Sequence, residues 1–142
     1  MTFLQKPDLK DLNSQTRGNM GEILGIEFIE LNDTELVASM PVFANTKQPH
    51  GLLHGGASVA LAETVASVAA NLALSPEENA YAVGLEINAN HIKSVTSGKV
   101  IARCRALQTG SKISVWEIKI TNESGTLVCI SRMTAAILKR KS

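Results

Sequence analysis

Residues 57–74 read ASVALAETVASVAANLAL. The stretch holds no Gly or Pro and is rich in alanine, the strongest helix former, so it predicts one long helix. Ser75-Pro76 ends it. The helix is apolar nearly all round, which places it inside a fold or an assembly. On either side the hydrophobic period changes from helical to two. Leu36, Ala38, Met40 and Val42 alternate within 34–43, and Pro41 marks a strand end or an edge. After the helix, Tyr81, Val83, Leu85 and Ile87 alternate, as do Val100, Ala102, Cys104 and Ala106. Trp116, Ile118 and Ile120 share a face, and 126–138 alternates too, with Val128, Ile130, Arg132 and Thr134 on one side and Leu127, Cys129, Met133 and Ala135 on the other. Gly110-Ser111 and Ser124-Gly125 sit where hairpin turns belong. A short N-terminal helix is expected over 8–16. Gly18 and Gly21 interrupt the chain after it, and Gly25–Leu31 is an extended approach segment. An apolar helix flanked by strands must be covered by them. An α+β fold, with a curled antiparallel sheet wrapped on one central helix, satisfies this.

Composition narrows the function classes. The 142 residues make one domain, 1–142, with enough chain for a sizeable core. Hydrophobic residues are 44% and charged residues 19%, which excludes a disordered chain. Fourteen Lys and Arg against thirteen Asp and Glu leave no basic excess for nucleic acid. Cys104 and Cys129 form no disulfide framework and no metal spacing, and read as small apolar residues in a reducing compartment. The first ten residues lack the apolar run of a signal peptide. A cytoplasmic protein that neither spans a membrane nor binds nucleic acid is expected.

One charge stands out. Glu63 is the only Asp, Glu, Lys or Arg between Lys47 and Glu77, and it lies mid-helix. An unpartnered carboxylate in an apolar helix is costly, so it is a functional candidate. The competing reading is an exposed helix face. Val59, Ala60 and Ala70 at helical spacing weigh against that. Ser67, one turn on, shares the Glu63 face and can hold a water or orient the carboxylate.

The helix starts at His54-Gly55-Gly56. Free N–H groups at a helix start attract developing negative charge, and glycine lets a ligand approach the backbone. The arrangement resembles the design of an oxyanion hole, while a Gly pair before a helix is also the ordinary makeup of a tight turn. Gly55 and Glu63 are eight residues apart, ~12 Å along one helix. A donor and a nucleophile must both reach one carbonyl at ~3 Å. One copy of the helix cannot supply both, so two antiparallel copies in an isologous dimer are expected.

Other chemistries find no support. There is no G-x-S-x-G elbow, Walker A or dinucleotide glycine pattern. His50 and His54 are four apart, as zinc ligands on a helix are, but Pro49, Gly51 and Gly55 deny a helix there. No metal and no cofactor are expected. Leu52–Leu74 is long enough to span a bilayer, but Glu63, His54, Asn71 and the Gly pair make it a poor span.

Three stretches carry a family resemblance: Gln48 to Ser58 (QPHGLLHGGAS), Leu61-Ala62-Glu63, and Val83 to His91 (VGLEINANH). Together they resemble the hotdog-fold acyl-CoA thioesterases. The similarity is greatest to the subgroup of 1,4-dihydroxy-2-naphthoyl-CoA thioesterases and the proofreading thioesterases of enterobactin synthesis. It covers Asn19 to Leu138. The resemblance implies a hotdog fold assembled as dimers, often paired into tetramers. It implies an acyl-CoA substrate, or one carried on an acyl or aryl carrier protein. It makes Glu63 the nucleophile or general base and the Gly55 N–H the carbonyl donor. Gln48 and His54 lie beside that donor, and Ser67 positions water. The coenzyme A arm would follow Gly84, His91, Ile92, Lys93 and Ser94, and the turn Gln108, Thr109, Gly110, Ser111, Lys112 and Ile113. Lys93 and Lys112 suit its phosphates. His50 and Asn71 stand where that subgroup has aromatic residues on the acyl pocket. The same fold also serves non-catalytic acyl-CoA binding, and hydratases or dehydratases with His54 as base. Thioester hydrolysis fits Glu63 with Ser67 better.

Overall fold

A computed structural model describes residues 1–141. The long helix, α3, runs Gly55–Leu72. It starts two residues before the alanine-rich run because the His54 side chain caps it, accepting the Gly56 N–H. Two short helices precede it: α1 (Leu9–Ser14) and α2 (Met20–Leu24). The strands are β1 (Glu27–Leu31), β2 (Glu35–Pro41), β3 (Ala80–His91), β4 (Lys99–Thr109), β5 (Ile113–Asn122) and β6 (Leu127–Lys139). They form one antiparallel sheet in the order β1-β2-β4-β5-β6-β3. The expected wrapping of a sheet on one helix is what is observed.

The sheet covers one face of α3. Leu61, Ala62, Val65, Ala66 and Ala69 are buried against Leu36, Ala38, Met40, Val100, Ala102, Trp116, Ile118 and Met133. Phe3 stacks on Trp116 at 6.0 Å and closes one end of this core.

Three expectations need correction. Gly18 and Gly21 do not leave the chain after α1 without a helix: Asn19 caps α2 there, and Gly25 ends it at φ 73°. Tyr81, Val83, Leu85 and Ile87 do not share a buried face. Before the bulge between Gly84 and Glu86 it is Ala82 that faces the core, so Val83 is exposed (39%), and Leu85, in the bulge, is exposed too (66%). Glu63 is not fully buried. It belongs to a half-buried strip of α3 with Val59, Ala60, Ser67 and Asn71, which only the margin of the sheet meets, at Ala82, Gly84 and Met133.

That strip borders β3, whose outer edge is paired by no strand among the described residues. Asn71 fastens helix to edge. Its amide donates to the Ala82 carbonyl at 3.0 Å, and its oxygen accepts the Ala82 N–H at 2.9 Å.

Away from α3, a buried carboxylate anchors β2 to β4. Arg105 Nε donates to Glu35 at 2.5 Å and Arg103 Nη1 at 2.9 Å. The Glu35 side chain is only 6% exposed. Burial pushes its pKa up, but the hydrogen bonds and charges of the two arginines outweigh it and hold the carboxyl below its usual value of 4.5. Stability from a depressed carboxyl is present above the unfolded pKa and is lost as pH falls through the folded one. Glu35→Gln should therefore cost about 1–2 kcal/mol at pH 7. The difference from wild type should shrink at pH 3, as urea unfolding at both pH values would show. An equal deficit at both would refute the ionic origin.

Candidate active site

The N-terminus of α3 opens into a cleft of about 290 Å³ lined by Gln48, Leu53, Gly55, Ser58 and the His91–Val95 segment. Backbone pairing builds it. The loop before α3 is held by His54 N–H to Thr46 at 2.8 Å and Leu53 N–H to Val95 at 2.8 Å. The far wall leaves β3 through Ile92, whose N–H donates to Val128 at 2.7 Å.

The four N-terminal N–H groups of α3 can be followed one by one. Gly56 donates to His54 Nδ1 at 2.8 Å. Ala57 and Ser58 both donate to the His54 carbonyl, at 3.0 and 3.2 Å. Gly55 N–H has no acceptor among the described residues. The helix thus presents a single free donor, at the residue the sequence singled out, with the helix dipole behind it. His54, expected beside the carbonyl, spends Nδ1 on capping. That bond leaves its ring proton on Nε2. Gln48 Oε1 accepts the His50 N–H, which leaves the Gln48 amide N–H groups free on the cleft wall.

Glu63 lies two turns further along α3. It makes no ion pair among the described residues. Its carboxylate rests over β3 at Gly84: a Cβ there would meet Glu63 Oε1 at 2.5 Å and the carboxyl carbon at 3.5 Å. Glycine at this position is what gives the carboxylate room. Gly84→Ala should push the flexible Glu63 head aside without disturbing the sheet. A misplacement of ~1 Å is worth ~10²-fold in turnover, so kcat should fall by about that factor with an unchanged melting temperature. Retention of full kcat would remove Gly84 from the site. Ser67 Oγ has only a weak contact, 3.8 Å to Met133 Sδ, and is otherwise free. Ser67 and Asn71 continue the Glu63 face into a shallow cleft of about 320 Å³ with Gln5, Gln15 and Arg140.

The structure brings together Gln48, Gly55, His91, Ile92, Lys93 and Ser94. It sets Glu63, Ser67 and Gly84 beside one another further along. It does not bring the turn Gln108 to Ile113 to either group within one chain. Thr109, Gly110, Ser111 and Lys112 line another cleft with Ala70, Ala73 and Leu74, at the opposite end of α3. Gly55 and Ala70 are ~22 Å apart along the helix. The sequence reading missed two features: the capping by His54, and the approach of His91 to Gly55. A polar ring directly before a Gly-Gly helix start was the available signal for the first.

The chain belongs to the thioesterase superfamily, whose family model matches residues 50–129. It is 49% identical to a 1,4-dihydroxy-2-naphthoyl-CoA hydrolase of Escherichia coli over 138 residues, 97% of this chain and 100% of that one. It is 45% identical to the proofreading thioesterase EntH of Cronobacter sakazakii over 138 residues, 97% and 99% of the two chains. Among solved structures it resembles a mutant of thioesterase PA1618 from Pseudomonas aeruginosa, with a TM-score of 0.94 at 43% identity, covering 97% and 99%. The hotdog fold and a thioester hydrolase activity follow.

Proposed function

We propose that this thioesterase hydrolyses aryl- or acyl-CoA thioesters to the free acid and CoA. The observation that carries this is the lone free Gly55 N–H at the start of α3, opening on the Gln48–Ser94 cleft, with Glu63 on the same helix. The E. coli relative, a 1,4-dihydroxy-2-naphthoyl-CoA hydrolase, supports an aryl acyl group. Gly55 N–H polarises the thioester carbonyl, and negative charge builds there as the carbon is attacked. Either Glu63 attacks and water then opens the mixed anhydride, or Glu63 takes a proton from the attacking water. In both, the C–S bond breaks and the thiolate leaves and gains a proton. Ser67 holds the water. The acyl group lies along the Ser67–Asn71 face, where Asn71 in place of an aromatic gives a more polar surround. Lys93, on the cleft wall, meets the CoA phosphates. Lys93→Ala should raise KM several-fold for a CoA ester, leaving a truncated pantetheine thioester unaffected. Equal effects on both would take Lys93 off the nucleotide.

Two chains build each site. Gly55 and Glu63 stand ~12 Å apart in one helix. The unpaired, twelve-residue β3 edge beside the half-buried strip of α3 supports isologous pairing there. Two free, buried cysteines fit the cytoplasm. Among the described residues no helix is long and apolar enough to cross a membrane.

The test is thiol release, followed with a thiol-reactive dye, over a panel of aromatic and aliphatic CoA esters. Steady release from the aromatic members is expected. Binding without release would indicate a sensor. Consumption of an enoyl ester without release would indicate a hydratase.

A further inference from the structure

We propose that His91 is the second donor of the oxyanion hole, acting with the Gly55 N–H on the carbonyl oxygen. This rests on the thioesterase reading above, but assigns His91 to the reacting atoms and not to the coenzyme A arm. His91 ends β3, where its backbone pairs with Cys129 of β6. Its ring reaches across the cleft to α3. A Cβ on Gly55 would lie 2.8 Å from His91 Nε2, and 3.2 Å from each of the two flanking ring carbons. Nε2 is therefore the leading atom, aimed edge-on at Gly55.

A Cβ lies ~2.5 Å from its own backbone nitrogen by covalent geometry. The Gly55 nitrogen and His91 Nε2 are thus at most about 5.3 Å apart. An oxygen at a hydrogen-bond distance of ~2.9 Å from each fits between them. In the tautomer protonated at Nε2, the imidazole supplies a second N–H to that oxygen. Besides the Gln48 amide, which is tied through its oxygen to the His50 N–H on the cleft wall, the groups at the helix start are committed elsewhere. Gly56, Ala57 and Ser58 have spent their N–H groups, and His54 is turned back on its own helix. His91 Nε2 has no hydrogen-bond partner among the described residues.

The proposal also gives the glycine at residue 55 a role, since it leaves the His91 ring its place. An alanine keeps the backbone N–H but collides with His91 Nε2, and the ring has to swing away. Gly55→Ala and His91→Ala then remove the same interaction by different means.

The experiment measures kcat and KM for wild type, His91→Ala, His91→Gln, Gly55→Ala and the Gly55→Ala/His91→Ala pair. Each is assayed on an aromatic CoA ester and on its truncated pantetheine thioester. Losing one oxyanion donor costs ~10²–10³-fold in kcat. His91→Ala should show that loss on both substrates, with KM within about threefold of wild type. His91→Gln, which keeps an N–H donor, should recover at least tenfold of it. Gly55→Ala should resemble His91→Ala, and the pair should be no worse than either alone, as expected when both remove one interaction. Melting curves check that each variant is folded. A KM rise confined to the CoA ester, with unchanged kcat, would return His91 to the coenzyme arm and overturn the proposal. So would wild-type behaviour, or multiplying losses in the pair. If wild type itself releases no thiol from either substrate, the thioesterase reading falls, and this proposal with it.

Discussion

Glu63→Ala should abolish nearly all turnover, by ~10³-fold or more, while the protein stays folded. The expectation comes from what surrounds the carboxylate. It is the one acidic side chain in the helical strip that also carries Ser67 and Asn71, and it makes no ion pair among the described residues. A carboxylate tied to a cation would have a structural account; this one has none. Gly84 leaves it room on the β3 side, and the Ser67 hydroxyl is free to place a water beside it. Removing the group that attacks, or that activates water, removes the step itself and not just a contact. The donor at Gly55 remains, so a residual rate above the uncatalysed one should persist. KM should change little, because the lost interaction develops only at the transition state. Stability should be unchanged or slightly higher, since an unpaired, half-buried charge is gone. Glu63→Gln keeps the size and tests the charge; it should be equally inactive. Thiol-release kinetics beside urea unfolding decides the matter. A folded Glu63→Ala protein with wild-type kcat would sink the mechanism.

What was legible in the sequence, and what was not, divides along physical lines. The run 57–74 announced α3 because alanine favours a helix wherever it sits. The alternations at 100–106 and 116–120 were readable because those residues face one core without interruption, as Val100, Ala102, Cys104, Trp116, Ile118 and Ile120 do. β3 misled because its bulge at Gly84–Glu86 is invisible to a period of two. α2 was hidden because a five-residue helix containing Gly21 depends on its Asn19 cap and not on propensity. The site divides in the same way. Glu63 and Gly55 were legible because both oddities, a lone charge and a glycine pair at a helix start, are local. The strand order that sends β3 to the far edge, its last residue over Gly55 and its Gly84 under Glu63, is non-local. So is the placement of the turn Gln108 to Ile113 beside Ala70–Leu74.

Mixing two inactive variants should restore about a quarter of wild-type activity. The variants are Glu63→Ala and Gly55→Pro. Proline deletes the Gly55 N–H, the only free donor at the start of α3. The backbone tolerates it there: Gly55 is the first residue of the helix, where proline is welcome. His54, which would precede the proline, already has the extended conformation (φ −66°, ψ 129°) such a residue requires. The added ring also displaces the His91 imidazole, which lies 2.8 Å from the Cβ position, so the lesion is complete. If each site takes Gly55 from one chain and Glu63 from the other, both homodimers lack one essential group in every site. A hybrid has one site with both lesions and one with none. Random reassociation makes about half the dimers hybrid, each with one good site of two, which gives roughly a quarter of the wild-type rate. Differently tagged chains, co-refolded and purified through both tags, raise this to about half. The Gly55→Pro homodimer must first show a wild-type melting curve and dimeric mass. Restored activity in the doubly tagged fraction, absent from either parent, can arise only if a site crosses the interface. Verified hybrids as inactive as their parents would show that each chain builds its own site, and α3 would then have to bend for Gly55 and Glu63 to meet.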